Sequence, residues 1–147
     1  MRWRFVDQVT SFEPWRAIAG RKAVSLEEYY LLQPLGREGA APESLVLESC
    51  VELARWLVAA SSGFCDIADL VAVEQFALGE EATTGTVLHI AERAARRTAR
   101  RLFVDCRVTA EDKMLAFGRL GLSVVPADRA FYSRELQELW QEIHGPA

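Results

Sequence analysis

The feature that most constrains the fold of this sequence is a segment, residues 45–60, that is apolar on nearly every side when it is drawn as a helix. Pro42 precedes it and suits a first helical turn, because the N–H of that turn has no intrahelical partner to lose. Ser61, Ser62 and Gly63 end the apolar pattern. A helix that is apolar all round is buried inside a fold rather than laid on its surface. The few polar residues of the region share one stripe, namely Ser44, Glu48, Glu52 and Arg55.

The remainder of the chain predicts strands rather than further buried helices. Two strands are expected before the helix, over 5–12 and 17–24, on either side of a turn in which Pro14 presets φ. A loop is predicted over 31–42, which contains two prolines and two glycines. After the helix, the sequence predicts strands over 71–78, 86–95, 102–109 and 114–125. Because no helix separates them, these strands are expected to form an antiparallel meander.

The strand at 102–109 shows which of its faces is buried. Alternate positions are apolar and the others are more polar, which is the pattern of a strand with one side in a core. The apolar positions are Leu102, Val104, Cys106 and Val108. A hairpin turn is predicted at 110–113. Together with the buried helix, these strands predict an α+β fold in which one curved antiparallel sheet wraps around a central helix.

An amphipathic helix is predicted at the end of the chain. Ser133 is the expected N-cap, and apolar residues follow at helical spacing at Leu136, Leu139, Trp140 and Ile143. A chain of 147 residues has the usual size of one domain. We therefore expect residues 1–128 to form one domain and residues 129–147 to be a helical extension of it.

Composition and charge exclude several classes of function. The net charge of −4 indicates neither a nucleic acid nor a membrane surface as partner. The three cysteines form no C-x-x-C pair and there are two histidines, so no disulfide framework, metal site or cofactor is expected. No segment reaches the roughly 20 apolar residues that span a bilayer, and the N-terminus lacks the apolar run of a signal peptide. These features predict a cytoplasmic protein.

Several motifs, taken in order, resemble those of the bacterial 3-hydroxyacyl-[acyl-carrier-protein] dehydratases. RFVDQV at 4–9 resembles the family's opening motif, and VSLEEYY at 24–30 resembles its next one. QPLGREGAAP at 33–42 stands where the family has its catalytic loop, and LESCVE at 47–52 stands at the start of its catalytic helix. The resemblance covers residues 4–125 and implies a hotdog fold, a curved antiparallel sheet around one buried helix.

The resemblance also implies a site. In the family, a loop histidine of one subunit faces a helix carboxylate of its dimer mate across an acyl-chain tunnel. Glu48 takes the place of the carboxylate and Gln33 that of the histidine, so these are the predicted catalytic residues. Gly36, Pro42 and Glu52 are the predicted substrate-binding residues, since a loop glycine before a helix N-terminus suits a thioester carbonyl. Because Glu48 belongs to the apolar helix, we expect its carboxylate to be buried and its pKa to be raised.

Gln33 decides between the functions that this resemblance leaves open. An amide has no useful basicity, so Gln33 cannot be the general base that dehydration needs. The implied function is a dehydratase-like protein of fatty-acid or polyketide-type synthesis that binds acyl thioesters and is weakly active or a non-catalytic partner. One alternative is a hotdog thioesterase in which Gln33 polarises the carbonyl and Glu48 attacks it or activates water. The other is an acyl-carrier binding module without catalysis.

The predicted partners are an acyl carrier protein, or a coenzyme A thioester, and a second hotdog subunit. Five arginines near one predicted hairpin form the candidate dock for an acidic carrier or for phosphates, since guanidinium groups suit both; a solvated turn is the simpler alternative. They are Arg93, Arg96, Arg97, Arg100 and Arg101. A homodimer, or a heterodimer with a related subunit, is expected because such a site and its sheet edges are completed across a two-fold axis.

Overall fold

The computed structural model describes residues 5–24, 40–41, 43–83, 85–127 and 130–145. Within these ranges the chain forms two helices, α1 (Glu43–Ser61) and α2 (Ala130–His144). The strands are β1 (Gln8–Glu13), β2 (Ala17–Ala23), β3 (Ala40–Ala41), β4 (Asp66–Leu78), β5 (Ala82–Thr83), β6 (Val87–Arg97), β7 (Arg101–Ala110) and β8 (Lys113–Pro126).

One antiparallel sheet of six strands dominates the fold, in the order β1-β2-β6-β7-β8-β4. β3 and β5 form a separate two-stranded sheet. The four long strands that follow α1 lie in the predicted regions, although β4 begins at Asp66 rather than at 71. α1 packs against one face of the large sheet, which we call the inner face, and the other is the outer face. The predicted α+β arrangement is therefore confirmed.

The burial of α1 follows from its sequence. Leu53, Val58 and Ala59 are buried, and they point to different sides of the helix, as an apolar circumference requires. Glu43 lies in the first turn, where a negative charge interacts favourably with the helix dipole. The helix ends as predicted, with Gly63 at φ +63°, a left-handed conformation that glycine adopts without steric cost.

The strands alternate as the sequence predicts. Leu102, Val104, Cys106 and Val108 are all buried on the inner face of β7. The predicted hairpin turn after β7 contains Glu111 and Asp112, both with positive φ (50° and 63°). Two consecutive residues of this kind match the right-handed twist of the flanking strands.

The C-terminal helix differs from its prediction at one end. α2 begins at Ala130, so the prediction that Ser133 is the N-cap is wrong. Serine is compatible with a first helical turn as well as with a cap, and its presence alone does not fix where a helix begins. Trp140 fixes the position of the helix: its ring lies 5.2 Å from that of Phe12 on β1 and 5.7 Å from that of Trp56 on α1. Trp140 thereby packs α2 against β1 and α1.

Candidate functional site

The polar stripe of α1 is where the helix reaches solvent. Ser44, Glu48 and Arg55 are exposed and Glu52 is half-buried, so the predicted stripe is confirmed. The expectation that the Glu48 carboxylate is buried is wrong, because this side chain lies at the centre of the stripe rather than in the apolar part of the helix. Glu48 is thus an accessible carboxylate on a helix whose other faces are packed.

Glu52, one turn further along α1, is in a different environment. Desolvation raises the pKa of this carboxyl, and hydrogen bonding from the backbone of Val6 and Phe5, with the charges of Lys22 and Arg55, lowers it in part. Its Oε2 atom is buried without a hydrogen-bond partner. Glu52 therefore links the helix to the segment before β1. Its predicted role in substrate binding stays a prediction.

The predicted site also has a half that precedes the helix in the chain. Gln33, Gly36 and Pro42 lie outside the described residues. Of the nearby backbone, β3 pairs with β5, with Ala40 opposite Thr83. β3 therefore lies beside β5 just before α1 begins.

The five arginines surround the β6–β7 hairpin, and all are exposed. Their role as a dock stays a prediction. Arg93 pairs in register with Asp105 and Arg96 with Phe103, whereas the Arg97 guanidinium carbon lies 3.7 Å from the centre of the Trp15 ring. Arg97 is thus engaged in a cation–π contact at the end of the sheet.

A buried acidic group on β6 was not predicted from the sequence. Glu92 is 3% exposed, on the inner face, and neither carboxylate oxygen has a hydrogen-bond partner. Desolvation raises its pKa well above the ordinary value. Cys106 is its cross-strand neighbour, and a hydrogen bond between Cys106 and Cys50 of α1 raises the pKa of the Cys50 thiol. The alternation of Leu88, Ile90 and Glu92 is the signal that could have revealed this placement.

The described part of the chain limits two other kinds of site. It contains no group of three or more His, Cys, Asp or Glu side chains arranged to hold a metal ion. Neither α1 nor the described α2 is long and apolar enough to cross a membrane.

Comparison with solved structures identifies the fold. The chain is similar to smu.793 from Streptococcus mutans UA159 bound to acetyl CoA, with 18% sequence identity, a TM-score of 0.66, and coverage of 81% of this chain and 88% of that chain. It is similar to a hot-dog-like protein from Thermanaerovibrio acidaminovorans, with 16% identity, a TM-score of 0.66, and coverage of 92% and 96%. A hypothetical thioesterase with coenzyme A from Streptococcus pneumoniae TIGR4 has 11% identity, a TM-score of 0.66, and coverage of 81% and 88%.

These similarities confirm the predicted hotdog fold. They bear out the dehydratase resemblance only in its fold, and the similar structures named above include a thioesterase and no dehydratase. No protein-family model matches the sequence, and no curated protein sequence matches it.

Proposed function

We propose that this protein hydrolyses acyl thioesters and that Glu48 is the reacting carboxylate. The observation that carries the proposal is the exposure of Glu48 on the central helix of a hotdog fold. A carboxylate that is accessible on an otherwise packed helix can meet a substrate without rearrangement of the core. The neighbouring structures with acetyl CoA and with coenzyme A support a thioester of coenzyme A, or of a carrier protein, as the substrate class.

In the proposed reaction, Glu48 acts as a general base toward water. The carboxylate accepts a proton from the water molecule while the water oxygen bonds to the carbonyl carbon of the thioester. The carbon–sulfur bond then breaks, and the sulfur takes the proton that Glu48 returns. The products are a carboxylic acid and a free thiol. Gln33 is proposed to donate its amide N–H to the carbonyl oxygen, a role that an amide can fill and that requires no basicity.

The complete site is proposed to need a second hotdog subunit. β4 forms one edge of the six-stranded sheet, and such an edge presents backbone N–H and C=O groups for pairing with another chain. Val71 and Val73 on this strand are 47% and 42% exposed. Pairing of β4 with the same strand of a second copy would cover these apolar side chains and bring two central helices into one assembly.

The test is release of thiol from acyl thioesters by the purified protein. We expect turnover of acyl-CoA or acyl-carrier substrates, and a loss of about 100-fold or more in kcat for Glu48→Gln, the usual range for removal of a general base. Glu138→Gln is the matched control, since Glu138 is an exposed carboxylate on the other helix and is expected to leave kcat unchanged.

Three outcomes would direct the proposal elsewhere. Equal kcat for Glu48→Gln and the wild type would remove Glu48 from the reaction. Hydration of trans-2-enoyl substrates without thiol release would favour the dehydratase-like function that the sequence motifs imply. Saturable binding of the thioester with neither reaction would assign the chain as a binding module.

A further inference from the structure

A row of alternating charges crosses the outer face of the sheet, perpendicular to the strands. Arg93 on β6 is opposite Asp105 on β7, Asp105 is opposite Arg119 on β8, and Arg119 is opposite Glu74 on β4. We call these four residues the charge row. All four are exposed. Because their order is positive, negative, positive, negative, the row has opposite charges at its two ends.

The centre of the charge row is already organised within one chain. Arg119 Nε donates to Asp105 Oδ1 at 2.7 Å and Arg119 Nη2 donates to Oδ2 at 3.2 Å, a two-pronged pair that fixes both side chains. This pairing lowers the pKa of Asp105 and, with the charge of Glu74, raises that of Arg119. Arg93 forms no ion pair with any residue in the described ranges. Its charge is therefore available to a partner.

The surroundings of the charge row include exposed apolar side chains. Phe117 and Met114 on β8 are 52% and 42% exposed, and Ala91 is an exposed residue on β6. They contribute to an open depression of about 1010 Å³ that crosses the face and is also lined by members of the charge row. Large exposed apolar side chains rimmed by charges are typical of a protein interface.

We infer that a second copy of this chain packs on this outer face, about a two-fold axis that runs parallel to the strands between β7 and β8. Such an axis reverses the charge row. It places Arg93 of one copy over Glu74 of the other, and Asp105 over Arg119, so every position meets an opposite charge. An axis perpendicular to the strands would instead place each charge over itself. The charge order therefore selects one of the two arrangements.

The next row along the strands fits the same axis. Arg107 on β7 is opposite Phe117 on β8, so the two-fold places the guanidinium of one copy over the aromatic ring of the other. This row, like the charge row, is therefore complementary to its own reverse.

The geometry tolerates the usual angle between packed sheets. Neighbouring strands are about 4.8 Å apart, so Arg93 and Glu74 each lie about 7 Å from the axis. Packed sheets cross at about 30°, which displaces the Arg93–Glu74 pair by about 4 Å at that radius. Arginine and glutamate side chains are long enough to span this displacement. This interface uses the outer face, whereas the proposed β4 pairing uses a sheet edge, so the two can coexist and neither depends on thioester hydrolysis.

The experiment exploits the distance between Arg93 and Glu74 within one subunit. Three strand spacings separate them, about 14 Å, so they cannot compensate for each other inside one chain. The molar mass of the wild type, Arg93→Glu, Glu74→Arg and the double variant would be measured by light scattering on a sizing column. We expect each single variant to have half the wild-type mass at the same concentration, and the double variant to recover the full mass. Arg100→Glu, in the hairpin turn outside the charge row, is expected to keep the wild-type mass.

Two results would overturn the inference. One is a mass that does not change between the wild type and the single variants. The other is a double variant that stays at half mass, which would mean that the charges do not meet across an interface. If, with unchanged mass, inorganic pyrophosphate binds the wild type and not Arg93→Glu, the face is a small-anion site and not an interface between copies. Circular dichroism of all variants separates loss of association from loss of folding.

Discussion

Replacement of Glu92 by glutamine is expected to stabilise the protein at pH 8, and the gain should shrink as the pH falls toward 5. The reason is that the Glu92 carboxyl is buried on the inner face without a hydrogen-bond partner for either oxygen. Burial of an ionised carboxylate costs several kcal/mol, so the group is held in its neutral form and its pKa is raised well above the ordinary value of 4.5. The folded protein therefore binds more protons than the unfolded chain between the unfolded and folded pKa values of this group.

The direction of the pH dependence follows from this proton. An acid whose pKa is higher in the folded state binds more protons there than in the unfolded chain, so its contribution to stability decreases as the pH rises. The decrease begins near the unfolded pKa of 4.5 and continues until the pH passes the folded value. Within that window it amounts to about 1.4 kcal/mol per pH unit. Glutamine has nearly the same shape as glutamate and does not titrate. Glu92→Gln therefore removes the pH-dependent contribution of this residue to the free energy of unfolding.

The measurement is the free energy of unfolding in urea, for the wild type and Glu92→Gln, at pH 5, 6, 7 and 8. The difference between the two proteins isolates Glu92 from carboxylates with the opposite behaviour, such as Asp105, whose pKa is lowered by Arg119. Glu138→Gln, the same substitution at an exposed carboxylate, is the control for the change of side chain itself. A Glu92→Gln difference that is constant from pH 5 to pH 8 would show that Glu92 is ionised in the folded protein or solvated by water.

Glu92 also shows where the sequence is informative and where it is not. The apolar helix and the strand regions could be predicted because each has a repeating pattern over many residues, and α1 and β7 confirm those patterns. β6 was harder to interpret because its second half is rich in charged residues. The alternation of Leu88 and Ile90, when it is continued, places Glu92 on the inner face. The residue type alone indicates the opposite, because glutamate is rarely buried.

The site was less predictable than the fold for a related reason. Helical periodicity predicts that Glu48 and Glu52 lie on one stripe. It does not predict that Glu48 is exposed and Glu52 half-buried. This difference arises because the segment before β1 covers the helical turn of Glu52 and not that of Glu48. The arginines show the same limit. They are close in sequence, but the β-bulge between Ala94 and Arg96 changes the register, and Arg97 is directed to Trp15. The roles of Gln33, Gly36 and Pro42, which lie outside the described residues, stay predictions.

A methyl group at Gly118 is expected to destabilise the fold by about 1–2 kcal/mol, although alanine is generally favoured over glycine in a strand. Alanine gains about 0.5–1 kcal/mol because it loses less backbone entropy on folding. At this position, however, a Cβ atom would lie 2.7 Å from the Cα and 2.8 Å from Cδ2 of Phe76 on β4. Overpacking of this kind costs about 1–3 kcal/mol. The overpacking cost exceeds the entropy gain of alanine here, because the Cα of Phe76 is a backbone atom and cannot move aside by a change of rotamer.

The irregular course of β4 explains why its backbone comes so close. The register between β4 and β8 shifts between Glu74 and Ala77, and Gln75 within this bulge has a φ of +51°. Bulges bend a strand and increase its twist, and here the bend brings Phe76 over Gly118, beside Cys106. Relief of the overlap would require the bulge to move away from β8, with loss of strand pairing.

Gly121→Ala is the matched control, three positions further along β8. A Cβ there would meet side-chain atoms, Phe103 Cε1 at 3.0 Å and Ala72 Cβ at 3.2 Å. Because the half-buried Phe103 ring can shift, and because relief of the Ala72 Cβ contact needs a movement of only a few tenths of an ångström, we expect Gly121→Ala to change the urea-unfolding free energy by less than about 0.5 kcal/mol. The double variant Gly118→Ala, Phe76→Ala separates the two contacts of the new methyl group: it removes Cδ2 and leaves the Cα in place. If the overlap is with the backbone, adding Phe76→Ala will not restore the stability lost in Gly118→Ala, whereas full recovery would show that the aromatic ring alone excludes a side chain at this position.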